Sequence, residues 1–129
     1  MRSFNKAKNF YKNSEKSSIK SQDPMAIVKN MVGELQRSMD KVITSTGVDS
    51  QRQFRAKYFS RSLVIIYTLQ TTLDFEKGQN LATKLFQLYE FCRQQLIKCF
   101  REQVVDGVKK AMNALEEIFI IKKMSNNER

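Results

Sequence analysis

LQTTLDFEKGQNLATKLFQLYE, residues 69–90, decides the fold of this chain. Apolar residues at helical spacing run into it from upstream and continue out of it downstream. The interruption is Asp74-Phe75-Glu76-Lys77-Gly78-Gln79. The stretch reads as the end of one amphipathic helix, a single tight connection, and the start of another. Gly78 can take a positive φ at little cost, and Asn80 can cap the next helix. Downstream, Leu81, Leu85, Leu88, Cys92, Leu96 and Cys99 form the expected main face of the new helix. Phe86, Tyr89, Phe91, Ile97 and Phe100 fall beside or outside that face.

Working outward, the preceding helix begins at Ser50, where Ser50 and Gln53 make a capping-box pattern. Phe54, Tyr58, Phe59, Leu63, Val64, Ile65, Ile66, Tyr67, Leu69 and Leu73 are its large apolar set. The β-branched run Leu63–Tyr67 alone would suit a strand, but helical spacing continues on both sides and no breaker bounds it. An earlier helix starts at Asp23-Pro24, a favoured N-cap followed by a residue suited to the first helical position. Ile27, Val28, Met31, Val32, Leu35, Met39, Val42 and Ile43 give it one apolar stripe, with Ile27 and Met31 in the core. A last helix carries Val104, Val108, Ala111, Met112, Leu115, Ile118 and Phe119, after a break at 101–107 with no strong stop signal. Four helices on short loops imply an all-α fold, an antiparallel up-down-up-down four-helix bundle over residues 23–124. Residues 1–22 read as a flexible basic arm and residues 125–129 as a frayed tail.

Composition agrees with this and narrows function. The chain has 129 residues, one Pro and four Gly, which suits one domain of long helices. No apolar run approaches the roughly 20 residues of a membrane span, and the basic N-terminus lacks a signal-peptide core, so a cytoplasmic location is expected. There is no His, no Gly-rich phosphate loop and no spacing that suits a metal; no cofactor and no catalytic role are expected. Cys92 and Cys99 lie seven residues apart, about 10 Å along a helix, too far for a disulfide, and read as small core residues.

The formal charge is +10, and half of it sits in the first twenty residues, where six Lys and Arg face Glu15 alone. Arg52, Arg55, Lys57 and Arg61, interleaved with Phe54, Tyr58 and Phe59, raise a nucleic-acid-binding alternative. It is the less favoured one, because those aromatics fall on the core stripe and no nucleic-acid motif is present.

More telling is surplus apolar surface. A bundle helix needs a stripe about 100° wide, and the second and third helices exceed it. Ile66, Tyr67, Phe86, Ile97 and Phe100 are therefore the candidate partner-binding residues, lining grooves for a foreign amphipathic helix. The same surface could serve a homodimer.

Leu73-Asp74, Glu76-Lys77-Gly78, Leu81-Ala82-Thr83, Leu85 and Leu88-Tyr89 together resemble the flagellin export chaperone (FliS) family. Asp23-Pro24 with Ile27, Val28, Met31 and Val32 resembles the family's start of the first helix, and Phe10-Tyr11 its N-terminal tyrosine region. The chain departs from the pattern at Gln79, where the family has a second Gly, at Cys99-Phe100 in place of Ala-Asn, at Ile66 and Tyr67 in place of polar residues, and in having no Trp. The resemblance implies a cytosolic chaperone that binds the C-terminal segment of unpolymerised flagellin and prevents its premature polymerisation before secretion, with the flagellar export machinery as a further candidate partner. It also implies that Phe10 and Tyr11 cap the groove before the client arrives; deletion of residues 1–18 should then raise client affinity or leave it unchanged.

Overall fold

Four helices run in order: α1 Pro24–Ser45, α2 Arg52–Thr71, α3 Phe75–Glu102 and α4 Asp106–Asn127, with a 3-10 turn Asp49–Gln51 before α2. The computed structural model describes residues 24–127, with side chains through Phe119. Asp23, Phe10 and Tyr11 lie outside the described residues. Each helix packs against its two neighbours in a closed ring, α1 on α2, α2 on α3, α3 on α4 and α4 on α1. The pairing of α2 with α3 is antiparallel: Phe59 meets Phe100, while further along α2 Gln70 meets Glu90 and Phe86. The result is the up-down-up-down bundle that the sequence implies.

The α1 stripe behaves as its spacing dictates. Ile27, Met31, Val32, Leu35, Met39 and Val42 are all buried. Ile66 and Leu69 from α2, Tyr89, Cys92, Leu96 and Cys99 from α3, and Val108, Ala111 and Leu115 from α4 complete the core. Burial pushes the Cys92 thiol up to about 12, so it remains protonated and acts as a small apolar group. Three of the buried hydroxyls are satisfied within their own helix. Ser45 donates to the Lys41 carbonyl at 2.7 Å, Ser62 to Tyr58 at 2.8 Å and Thr68 to Val64 at 3.0 Å. Among the described residues no buried side-chain polar atom lacks a partner, as a close-packed interior requires.

Three boundaries differ from the sequence reading. The Ser50–Gln53 capping box does not form. Ser50 is taken into the 3-10 turn, and α2 starts at Arg52 without a side-chain cap. Arg55 of α2 instead reaches back to the Ser45 and Val48 carbonyls, placing a cation at the C-terminal end of α1. At the other end of the molecule α4 runs on through Asn127, past Met124, where the sequence reading ends the bundle.

The largest difference lies in residues 74–79. Asp74, not Asn80, is the cap: its Oδ1 accepts the Glu76 N–H at 3.1 Å and the Lys77 N–H at 3.0 Å. A helical turn forms at once from Phe75, and the chain kinks at Gln79, with φ 46° and ψ −118°. That conformation favours glycine, yet Gly78 next to it does not occupy it. Gly78 is needed for a different reason, since a Cβ there would stand 2.8 Å from the Ala82 Cβ.

The break after α3 obeys similar logic. Gln103 adopts the left-handed conformation, φ 58° and ψ 38°, and its N–H donates to the Cys99 carbonyl at 2.7 Å. This is the helix-ending geometry usually given to glycine or asparagine. Gly107, read as part of the break, opens α4 beneath Gln95, where a Cβ would collide with that side chain.

Two residues therefore carry conformations that glycine would hold at less cost. Gln79→Gly is expected to stabilise the fold by about 1 kcal/mol, and Gln103→Gly by somewhat less. Gly78→Ala is expected to destabilise it, because Ala82 must give way. Urea denaturation of the three variants checks the set; a destabilised Gln79→Gly would contradict the kink.

Candidate functional site

The outer side of the α2–α3 seam gathers four of the exposed large apolar residues, Tyr67, Phe75, Phe86 and Phe100. On α2, Phe59, Leu63, Tyr67 and Gln70 succeed one another at four- and three-residue steps and so share one face. On α3, Phe86, Glu90, Arg93, Ile97 and Phe100 do the same. The two faces meet where Phe59 stacks on Phe100, ring centroids 4.1 Å apart and planes 10° apart. They meet again where the Gln70 amide donates to the Phe86 carbonyl at 3.3 Å and to Glu90 Oε1 at 3.2 Å.

Tyr67 is 48% exposed, and Phe86 and Phe100 are 38% exposed. Ile97 lies half-buried between the ends of the seam. Four of the five residues singled out in the sequence thus fall on one surface. Ile66 does not. It is fully enclosed in the core, because one residue along a helix is a rotation of about 100°, which turns Ile66 inward and Tyr67 outward. Ile66 is accordingly a core residue and leaves the candidate set.

Phe75 and Leu81 belong to the exposed apolar population but were not anticipated there. Phe75 sits in what the sequence presents as a connection, yet its ring packs 6.0 Å from Phe86 and prolongs the seam beyond the kink. Leu81, expected on the core face of α3, is 53% exposed, while Tyr89, expected outside it, is 1% exposed. The inward stripe of α3 is Ala82, Tyr89, Cys92, Leu96 and Cys99, so Leu81 is one position out of phase.

A polar cluster interrupts the seam at its middle. Arg93 forks onto Glu90, Nε donating to Oε1 at 3.0 Å and Nη2 to Oε2 at 2.6 Å. Gln70 adds its bond from α2, and Gln94 reaches Oε2 at 3.4 Å. The Arg93 fork first, then Gln70, hold the Glu90 carboxyl at about 2, against an opposing push from burial.

The basic face of α2 is largely engaged inside the molecule. Arg61 pairs with Glu34, and Arg55 caps α1. The Tyr58 ring lies 4.8 Å from Phe54 and has Lys41 at 4.5 Å and Lys57 at 5.3 Å. Its face is covered by cations of the same chain, which leaves little open platform for a stacked base. Among the described residues no three His, Cys, Asp or Glu side chains group as metal ligands, and no helix is long and apolar enough to cross a membrane.

The Glu90 cluster has a measurable pH signature. Its carboxyl is lowered from 4.5 to about 2 in the fold, so its contribution to stability is complete above pH 4.5 and disappears as the pH falls through about 2. The pair is partly exposed, which limits that contribution to about 1 kcal/mol or less. Comparing Glu90→Gln with the parent protein by urea denaturation should show a deficit at pH 7 that closes at pH 2–2.5. A deficit unchanged by pH would contradict this origin.

The family model described as flagellar protein FliS matches residues 7–120. No curated protein and no solved structure gives a significant match. The matched span takes in α1, α2, α3 and most of α4, together with the Asp74–Gly78 turn and the whole apolar seam: this chain belongs to the flagellar protein FliS family.

Proposed function

We propose that this protein is a cytoplasmic chaperone that holds the C-terminal segment of unpolymerised flagellin against its α2–α3 seam until export. The FliS family is a family of flagellar chaperones, which supplies the class of activity. The single observation that carries the finer reading is the row of large, partly exposed apolar side chains on one seam: Tyr67, Phe86 and Phe100, with Ile97 half-buried among them. Large apolar side chains gathered on one face of a helical protein suit a partner's amphipathic helix.

The physics of the task favours an extended site over a pocket. An amphipathic segment kept from self-assembly must have its apolar stripe covered. Ordering it on binding costs free energy that several apolar contacts have to offset. A seam prolonged past the kink by Phe75 offers such contacts over many turns. The exposed rings have the further advantage of losing few rotamers when covered.

Titration calorimetry with a flagellin C-terminal peptide tests the reading. Tyr67→Ser and Phe86→Ser are each expected to weaken binding about tenfold, with a smaller loss of thermal midpoint than a core substitution, because both side chains are partly exposed. Raising salt should change the affinity only slightly, since burial of apolar surface dominates. No binding, or binding indifferent to both substitutions, would refute the assignment. A steep salt dependence would favour a nucleic-acid or other polyanionic partner instead. If the seam pairs two copies, sedimentation would reveal a dimer that the peptide dissociates.

A further inference from the structure

We infer that the Gln70–Glu90–Arg93 cluster sets the register of the docked helix by demanding a hydrogen-bond acceptor midway between two apolar anchors. This rests on the seam being the docking surface. Along α3, Phe86 and Ile97 are eleven residues apart, about 16 Å at the helical rise. Phe86 adjoins Phe75 at one end, and Ile97 lies within one turn of the Phe59–Phe100 stack at the other. Glu90 and Arg93 fall between these two apolar zones. A helix lying along the seam therefore meets apolar surface, then charge, then apolar surface again.

The cluster has a defined polarity. The Glu90 oxygens already accept from Arg93, Gln70 and Gln94. Arg93 spends Nε and Nη2 on Glu90, and its Nη1 makes no hydrogen bond to any described residue. The Arg93 side chain is 44% exposed. A guanidinium N–H on so exposed a side chain is ordinarily satisfied by water. A docked helix removes the water, and a donor left unpaired there costs free energy that a matching acceptor recovers.

The partner this chemistry recognises is an amphipathic helix with two apolar groups about three turns apart and a side-chain acceptor, such as an Asn or Gln carbonyl, on the same face between them. A helix slipped by one turn would set an apolar side chain on Arg93 and its acceptor on a ring. An all-apolar helix of equal bulk would be discriminated against at the same place.

The test is a positional scan. Each residue of a flagellin C-terminal peptide is exchanged in turn for Leu and for Asn, and binding is read by fluorescence anisotropy with the parent protein, Arg93→Leu and Arg93→Lys. One position, midway between two apolar groups, should prefer Asn to Leu by about tenfold with the parent protein. Arg93→Lys, which keeps a donor, should retain that preference, and Arg93→Leu should abolish or reverse it. A role of Arg93 in the fold alone would weaken all peptides alike and leave the ranking unmoved, which would overturn the inference. Binding with no position that distinguishes Asn from Leu would overturn it equally. No binding by any peptide would refute the docking reading itself, and this inference with it.

Discussion

The rotation of α3 about its own axis is the constraint on which the rest of this structure depends. A helix can turn only one stripe toward the core, and α3 carries apolar residues over more of its circumference than one stripe can hold. Tyr89, Cys92, Leu96 and Cys99 face inward and are buried. Phe86, Ile97 and Phe100 are then carried to the seam with α2, where no fifth helix waits among the described residues to cover them. The rotation is set at both ends by polar geometry. Asp74 caps the first turn and the Gln79 kink comes next; Gln103 closes the last turn in the left-handed conformation. Enclosure of Tyr89, the largest fully buried side chain among the described residues, locks the phase in between.

Fold and function pull against each other along that seam. Covering Phe86 and Phe100 from within would tighten the domain but remove the surface that the proposed function requires. The chain instead leaves them exposed and moderates the exposure. Phe59 stacks under Phe100, Phe75 leans on Phe86, and the Glu90–Arg93 pair with Gln70 breaks the apolar row at its centre. A row interrupted by charge is a poorer template for indiscriminate association than a continuous one. On the proposed function, such an interruption lets an apolar site coexist with resistance to self-association.

Much of this was legible in the amino-acid sequence, and the remainder was hidden for identifiable causes. The stripe of α1 and the start at Pro24 come from spacing and from the chemistry of the first helical position. So does the existence of four helices, since few breakers leave few places to turn. The start of α3 lies six residues before the position the sequence suggests, because Gly78 and Asn80 look like turn and cap. The position is settled instead by Asp74 reaching two backbone N–H groups and by a strained Gln79. Ile66 and Tyr67 show the limit at the site: in a run apolar on every side, only packing decides which residue turns inward. Leu81 and Tyr89 exchanged their expected places for the same reason. The Gln70–Glu90–Arg93 cluster was not readable at all, because it joins residues on two helices whose relative rotation the sequence does not state.

Where a client helix lies is the decisive question. Intermolecular nuclear Overhauser contacts between an isotope-labelled protein and an unlabelled flagellin C-terminal peptide measure this directly. Contacts from the peptide to the rings of Tyr67, Phe86 and Phe100, with the α1–α4 face silent, are the result this structure predicts. Contacts confined to α1 and α4, with those three rings unperturbed, would contradict it.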